Sequence, residues 1–256
     1  MSPLDHFLLL ILSFVSNLLS ALAGGGAGLI QLPVIIFLGL NFSVALATHK
    51  VASIALGVGA TFRHLKEGSI SPKFSAFILL CGLPGVVVGA TVIVNVPANL
   101  AQISLGVLTI SLGIYSWLKP ELGEQTQSKN RETKGLIIGG AVLFFIGFLN
   151  GSLTSGTGLF VTIWLVRWFG LEYKLAIVYT LILVGLFWNG TGAFTLGIQS
   201  QIAWDWLPAL LLGSLVGGYV GAHLAISKGN KFIKRIFEVT AIAVGVRLIF
   251  ISATGI

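Results

Sequence analysis

The chain has 256 residues, 55% of them hydrophobic and 9% charged, a formal net charge of +7 and a mean hydropathy of +0.99. Soluble domains carry about 25% charged residues, so this composition excludes an ordinary soluble enzyme. The cations fall in a few short loops rather than on one continuous face, which excludes a nucleic-acid partner and leaves a polytopic, all-α membrane protein in contact with lipid.

The chain opens on an apolar run ending in Ser20, Ala21, Leu22 and Ala23, which mimics a signal-peptidase site. Ser2 to His6 supply no Lys or Arg for the charged region such a signal needs, so the run reads as retained. Residues 7–40 form one long apolar stretch broken near its middle by Gly24, Gly25, Gly26 and Gly28. It is too short for two crossings of about 20 residues plus a turn, yet long for one. A hairpin of two short helices, or a re-entrant pair, fits it, with glycine supplying backbone angles closed to other residues.

Three spans follow, near 44–62, 74–95 and 99–118, the middle one holding Cys81 as a small packing residue. The polar stretch 119–134 has mixed charges and reads as a solvated connector. A second long apolar stretch, 136–168, is broken by Thr154, Ser155, Gly156, Thr157 and Gly158, and three further spans lie near 175–194, 206–226 and 232–252.

The second set copies the first. Gly26 and Gly28 match Gly156 and Gly158; Gly39 and Ala45 match Gly170 and Ala176; Gly59 matches Gly190. Gly85, Gly89 and Ala90 match Gly217, Gly221 and Ala222, and Gly113 matches Gly245, all at an offset of 130 to 132. The predicted organisation is a first repeat over 1–118, a linker over 119–134 and a second repeat over 135–256.

Charge gives the repeats their orientation. Segments 63–73, 119–134, 167–174 and 228–235 together hold thirteen of the fifteen Lys and Arg residues, whereas 1–6, 40–43, 95–99, 195–205 and 253–256 hold none. The positive-inside rule places the first group in the cytoplasm. Basic 63–73 corresponds to uncharged-to-acidic 195–205, and neutral 95–99 to basic 228–235, so the two repeats are inverted. Each contains a broken hairpin and three helices, which puts both termini outside. Treating 7–40 as one tilted span would put the N-terminus inside and spoil the symmetry with 136–168.

Inverted repeats with matched breaks point to a transport site at mid-membrane. Helix ends at a break aim N–H groups and a positive dipole at the cavity between them, so the expected substrate is a small anion; the alternative is that the glycines merely let helices pack closely. The candidate binding residues are Gly24, Gly25, Gly26, Gly28, Gln31, Thr48, His49, Lys50, Ser155, Gly156, Thr157, Gly158, Tyr179, Thr180 and Asn189.

Lys50 stands roughly 10 Å into its span at 1.5 Å per residue and either lines the anion site or extends to the interface along its stem. Tyr179 and Thr180 occupy the positions matching Thr48 and His49 and are hydroxyl donors. His49 is a candidate carrier for a coupled proton. Asn150 and Ser152 are further neutral donors near the second break, each an alternative partner for freed backbone groups. Glu238 is placed to pair with Lys234 at i, i+4.

The glycine cluster lacks the preceding strand and the Gly-Lys-Ser/Thr ending of a nucleotide-binding loop. The four histidines have no metal-binding spacing, and no nucleophile has an adjacent base. No cofactor, metal or enzymatic activity is expected.

The stretches SALAGGGAGLIQLPVI, ALATHKVASIALG and GFLNGSLTSGTG together resemble the TauE/SafE, or sulfite exporter, family of membrane proteins, and the resemblance covers nearly the whole chain. It implies transport of a small anion across the bacterial cytoplasmic membrane, generally export, with sulfite, sulfoacetate and related organosulfonates as substrates. Gly24 to Gly28, Ser155 to Gly158 and the segment 48–50 align with the family's characteristic positions. The expected function is secondary transport by alternating access, driven by a proton or another gradient because no ATP-binding motif is present. An anion channel, or an importer of a related oxyanion such as sulfate, shares these features.

Overall fold

The computed structural model describes residues 3–64, 70–93, 98–119, 123, 125–154 and 156–254. Eleven α-helices are assigned among them: α1 (Pro3–Ala23), α2 (Gln31–Phe37), α3 (Phe42–His64), α4 (Pro72–Val92), α5 (Ala98–Trp117), α6 (Thr133–Ser152), α7 (Thr157–Arg167), α8 (Tyr173–Tyr179), α9 (Asn189–Gln199), α10 (Leu207–Lys228) and α11 (Asn230–Thr254). A π-helical stretch over Thr180–Trp188 joins α8 to α9, so Tyr173–Gln199 is one continuous 27-residue span. Six helices among the described residues are long and apolar enough to cross a membrane; no β-strand occurs among them. The chain is an all-α polytopic membrane protein.

Both long apolar stretches are organised differently from a pair of short helices. α1 and α6 are full-length helices of 21 and 20 residues, followed by the shorter α2 and α7 of 7 and 11 residues. Each stretch is thus one membrane-length helix followed, after a break, by a short helix. The uneven division reflects where left-handed backbone begins: Gly24, Gly25 and Gly26 have φ of 81°, 138° and 108° and stop α1. In the second stretch Thr154 (φ 58°) and Gly156 (φ 76°) stop α6. A β-branched residue in this region is a strained exception.

Small residues set the packing. Cβ atoms built on Gly213, Gly217 and Gly221 of α10 would each lie 2.5 Å from a carbonyl oxygen of α1, those of Leu10, Phe14 and Leu18. Likewise Gly85 and Gly89 of α4 press on the Phe144 and Phe148 carbonyls of α6, and Gly147 and Gly151 of α6 press back on Gly82 and Val86. In lipid, where no hydrophobic force draws apolar helices together, such four-residue spacing lets backbones approach closely enough to gain contact. Gly113 and Gly245 meet the facing helix of the α5–α11 pair, and Gly57 meets Gly185 where α3 crosses the π-helical stretch. Most of the scattered glycines are packing residues.

The linker is docked, not a freely solvated connector. Gln127 N donates to Gly170 O (2.7 Å), Lys129 N to Phe169 O (3.1 Å), Asn130 Nδ2 to Trp168 O (2.7 Å) and Tyr173 N to Gly123 O (2.8 Å). The Arg131 guanidinium lies 3.8 Å from the ring centre of Phe74 and 5.0 Å from that of Phe169. Burial against these rings lowers its pKa, an effect opposed by Tyr179. Polar composition hid this docking because the partners are backbone groups of the α7–α8 turn, which any sequence offers.

Candidate functional site

The two chain breaks meet. A Cβ on Gly25 would lie 2.5 Å from Gly158 Cα, one on Gly158 would lie 2.8 Å from Gly25 Cα, and Thr162 Oγ1 donates to the Gly24 carbonyl at 2.8 Å. Beside this contact is a cavity of about 40 Å³, room for more than one water-sized group. Gly25, Gly26 and Gly28 of the first break and Thr157 and Gly158 of the second line it, together with His49, Thr180 and Asn189.

Other sequence-predicted residues lie around this chamber rather than on its wall. Gly24 contributes its carbonyl to Thr162, and Gly156 is the left-handed N-cap of α7. Gln31 is fully buried and accepts from the His49 ring at 3.1 Å while its Nε2 donates to Ser13 Oγ at 3.2 Å. Thr48 Oγ1 accepts from Ala203 N (3.0 Å), tying α3 to the connection before α10. Tyr179 OH accepts from Ser71 N (2.7 Å), so its hydroxyl holds the start of α4. Ser155 lies outside the described residues.

Lys50 does not extend to the membrane interface. It is fully buried, and its ammonium donates to Asn150 Oδ1 (2.7 Å) and Asn189 Oδ1 (3.1 Å), both of them cavity residues. Asn150 Nδ2 donates to Thr157 Oγ1 (2.9 Å), which donates to the Thr154 carbonyl (2.9 Å). Lysine has donors only, so it fixes both amides with their oxygens toward it. The cation stands one side chain behind the wall.

Ser20, Ser53 and Thr154 also line the cavity and are additions to the sequence-predicted set. Ser53 Oγ lies 3.2 Å from His49 Nε2. Ser20 Oγ is buried without a partner. A signal existed: Ser13, Ser16, Asn17 and Ser20 fall at i, i+3, i+4 and i+7 along an otherwise apolar helix, a polar stripe facing inward. Among the described residues no cluster of His, Cys, Asp or Glu could hold a metal ion.

The architecture is that of a polytopic membrane protein with a small polar chamber where its two chain breaks meet. The chain belongs to the family described as Sulfite exporter TauE/SafE, whose pattern matches residues 9–248. It is 27% identical over 242 residues to "Probable membrane transporter protein ORF9" of Sinorhizobium sp, covering 94% of this chain and 91% of that one. It is 26% identical over 255 residues to "Probable membrane transporter protein YfcA" of Escherichia coli strain K12, covering 98% and 92%. A "Probable membrane transporter protein" of Haemophilus influenzae is 24% identical over 244 residues, covering 95% and 94%. No solved structure matches the chain.

Proposed function

We propose that the protein is a secondary transporter that exports a small sulfur-containing anion, sulfite or an organosulfonate such as sulfoacetate, across the bacterial cytoplasmic membrane by alternating access. The observation that carries this reading is the meeting of Gly25 and Gly158 beside a cavity walled by neutral hydrogen-bonding groups, with the Lys50 ammonium directly behind. Family membership supports the substrate class.

The packing supports inverted repeats. α1 lies on α10 and α6 on α4, while α5 pairs with α11 and α3 with the α8–α9 span. If the helices correspond as the glycine pattern has it, each of these pairings maps onto its counterpart or itself. In this reading both termini are periplasmic and the linker cytoplasmic. Proteoliposomes containing the purified protein, loaded with sulfite, sulfoacetate, methanesulfonate or sulfate, test the function. Saturable, protein-dependent flux of a sulfur anion is expected; flux of none of them removes the reading, and ohmic single-channel current replaces the carrier with a channel.

A further inference from the structure

Among the described residues Lys50 has no carboxylate partner; its ammonium donates to two amide oxygens. Of the eight acidic residues, Asp5 and Glu132 lie at the starts of α1 and α6, Glu172 caps α8, and Asp205 precedes α10. Glu67, Glu121 and Glu124 fall in sequence between spans. Glu238 is paired with Lys234 at 2.7 Å. An ammonium held by only two neutral amide oxygens is costly to bury, a cost that a bound anion would offset.

The cavity beyond those amides is lined by two further donor groups, one of them without a partner. Asn189 turns its oxygen to Lys50, which leaves Nδ2 as the donor on the other side of the same amide, in a residue that lines the cavity. Ser20 Oγ, in a residue only 2% exposed, faces the same cavity unpartnered. A buried lysine without a described carboxylate partner, beside an unfilled hydroxyl and an amide donor, describes a site for one negative charge.

We infer that the transported ligand is the missing counter-ion of Lys50, seated on Asn189 and Ser20, and that the site selects a singly charged oxyanion head group over a doubly charged one. This rests on the transporter reading above and narrows it: a sulfonate head or bisulfite, not sulfate. Lys50 is a positioning residue. It does not touch the ligand; it orients the two asparagines and supplies the charge behind them. A head group that itself carries two charges, as sulfate does, would leave one of them uncompensated beside Lys50.

Calorimetric binding to the purified protein in detergent tests this with methanesulfonate and sulfate, which share sulfur–oxygen geometry but differ by one charge. Methanesulfonate is expected to bind at least about tenfold more tightly than sulfate, a difference a buried unit charge readily supplies. Asn189→Asp gives Lys50 an internal counter-ion of the same shape. That variant is expected to keep its thermal midpoint and lose methanesulfonate binding by about tenfold or more. Lys50→Arg, which keeps the charge, is expected to keep the preference for the monoanion. Equal affinity for the two anions in the wild type, or unchanged binding in Asn189→Asp, overturns the inference while leaving an anion transporter. If the wild type binds neither these anions nor sulfite, the transporter reading falls and this inference with it.

Discussion

Gly25 of the first chain break and Gly158 of the second stand backbone against backbone, with Cβ positions 2.5 and 2.8 Å from the opposing Cα atoms. Two segments 133 positions apart in the chain are thereby joined at the wall of one small polar chamber. The joint leaves no space for a methyl group.

Gly25→Ala and Gly158→Ala are expected to lower stability by about 1–3 kcal/mol each, because backbone must move to admit the added carbon. Thermal unfolding in detergent measures this. Gly190→Ala is the contrast, since nothing lies within 4 Å of its Cβ position; its midpoint should hold or rise, by up to about 1 kcal/mol of helix propensity. Its sequence match, Gly59, should fail the same substitution, as a Cβ there would lie 2.1 Å from the Leu215 carbonyl.

Thr154 occupies the place of Gly24 and shares its left-handed backbone, with φ 58°. Holding an L-residue there costs about 1–2 kcal/mol, against about 0.5–1 kcal/mol of chain entropy that glycine loses on folding. Thr154→Gly should therefore stabilise the protein by roughly 0.5 kcal/mol, and Thr154→Ala, which keeps the strain, should not. Paired denaturation curves decide it.

The buried Lys234–Glu238 pair is bound further by Ser116, whose hydroxyl donates to Glu238 Oε1 at 3.1 Å and lies 2.7 Å from Tyr173 OH. Lys234 also donates to the Ser116 carbonyl. Removing one partner strands a charge, so Glu238→Gln is expected to cost on the order of 3–5 kcal/mol. The double variant Lys234→Met, Glu238→Leu should recover most of that loss. A single variant as stable as wild type would show that the pair is solvated.

Arg131→Ala removes the contact that clamps the linker to Phe74 and Phe169. Such a contact is worth about 0.5–2 kcal/mol. Trypsin is therefore expected to cut after Lys129 and Lys134 several-fold faster in the variant, followed by gel electrophoresis under native conditions. Equal cleavage rates would mean that the backbone bonds to Phe169 and Gly170 hold the linker unaided.

Much of the fold was legible because hydropathy and charge report directly on lipid and its two faces. The expected spans 44–62 and 74–95 correspond to α3 and α4, and the stop at Gly24 to Gly26 follows from glycine's backbone freedom. The pairing of Glu238 with Lys234 follows from helical spacing alone. Spacing along one chain does not give side-chain direction across helices, so Tyr179 and Thr48 fell among the site candidates although they serve Ser71 and Ala203. The π-helical register of Thr180–Trp188 has no marker in its apolar sequence. Ser20 reads in the sequence as the end of an apolar run, and becomes part of a face only with Ser13, Ser16 and Asn17.

Counterflow through the chamber tests the central claim most directly. Proteoliposomes preloaded with unlabelled sulfite and diluted into labelled sulfite compare the wild type with Ser20→Leu, whose side chain would fill the cavity. Saturable labelled uptake above empty vesicles is expected for the wild type and not for a folded Ser20→Leu. Equal uptake by both proteins, or wild-type uptake no faster than that of empty vesicles, would contradict the account.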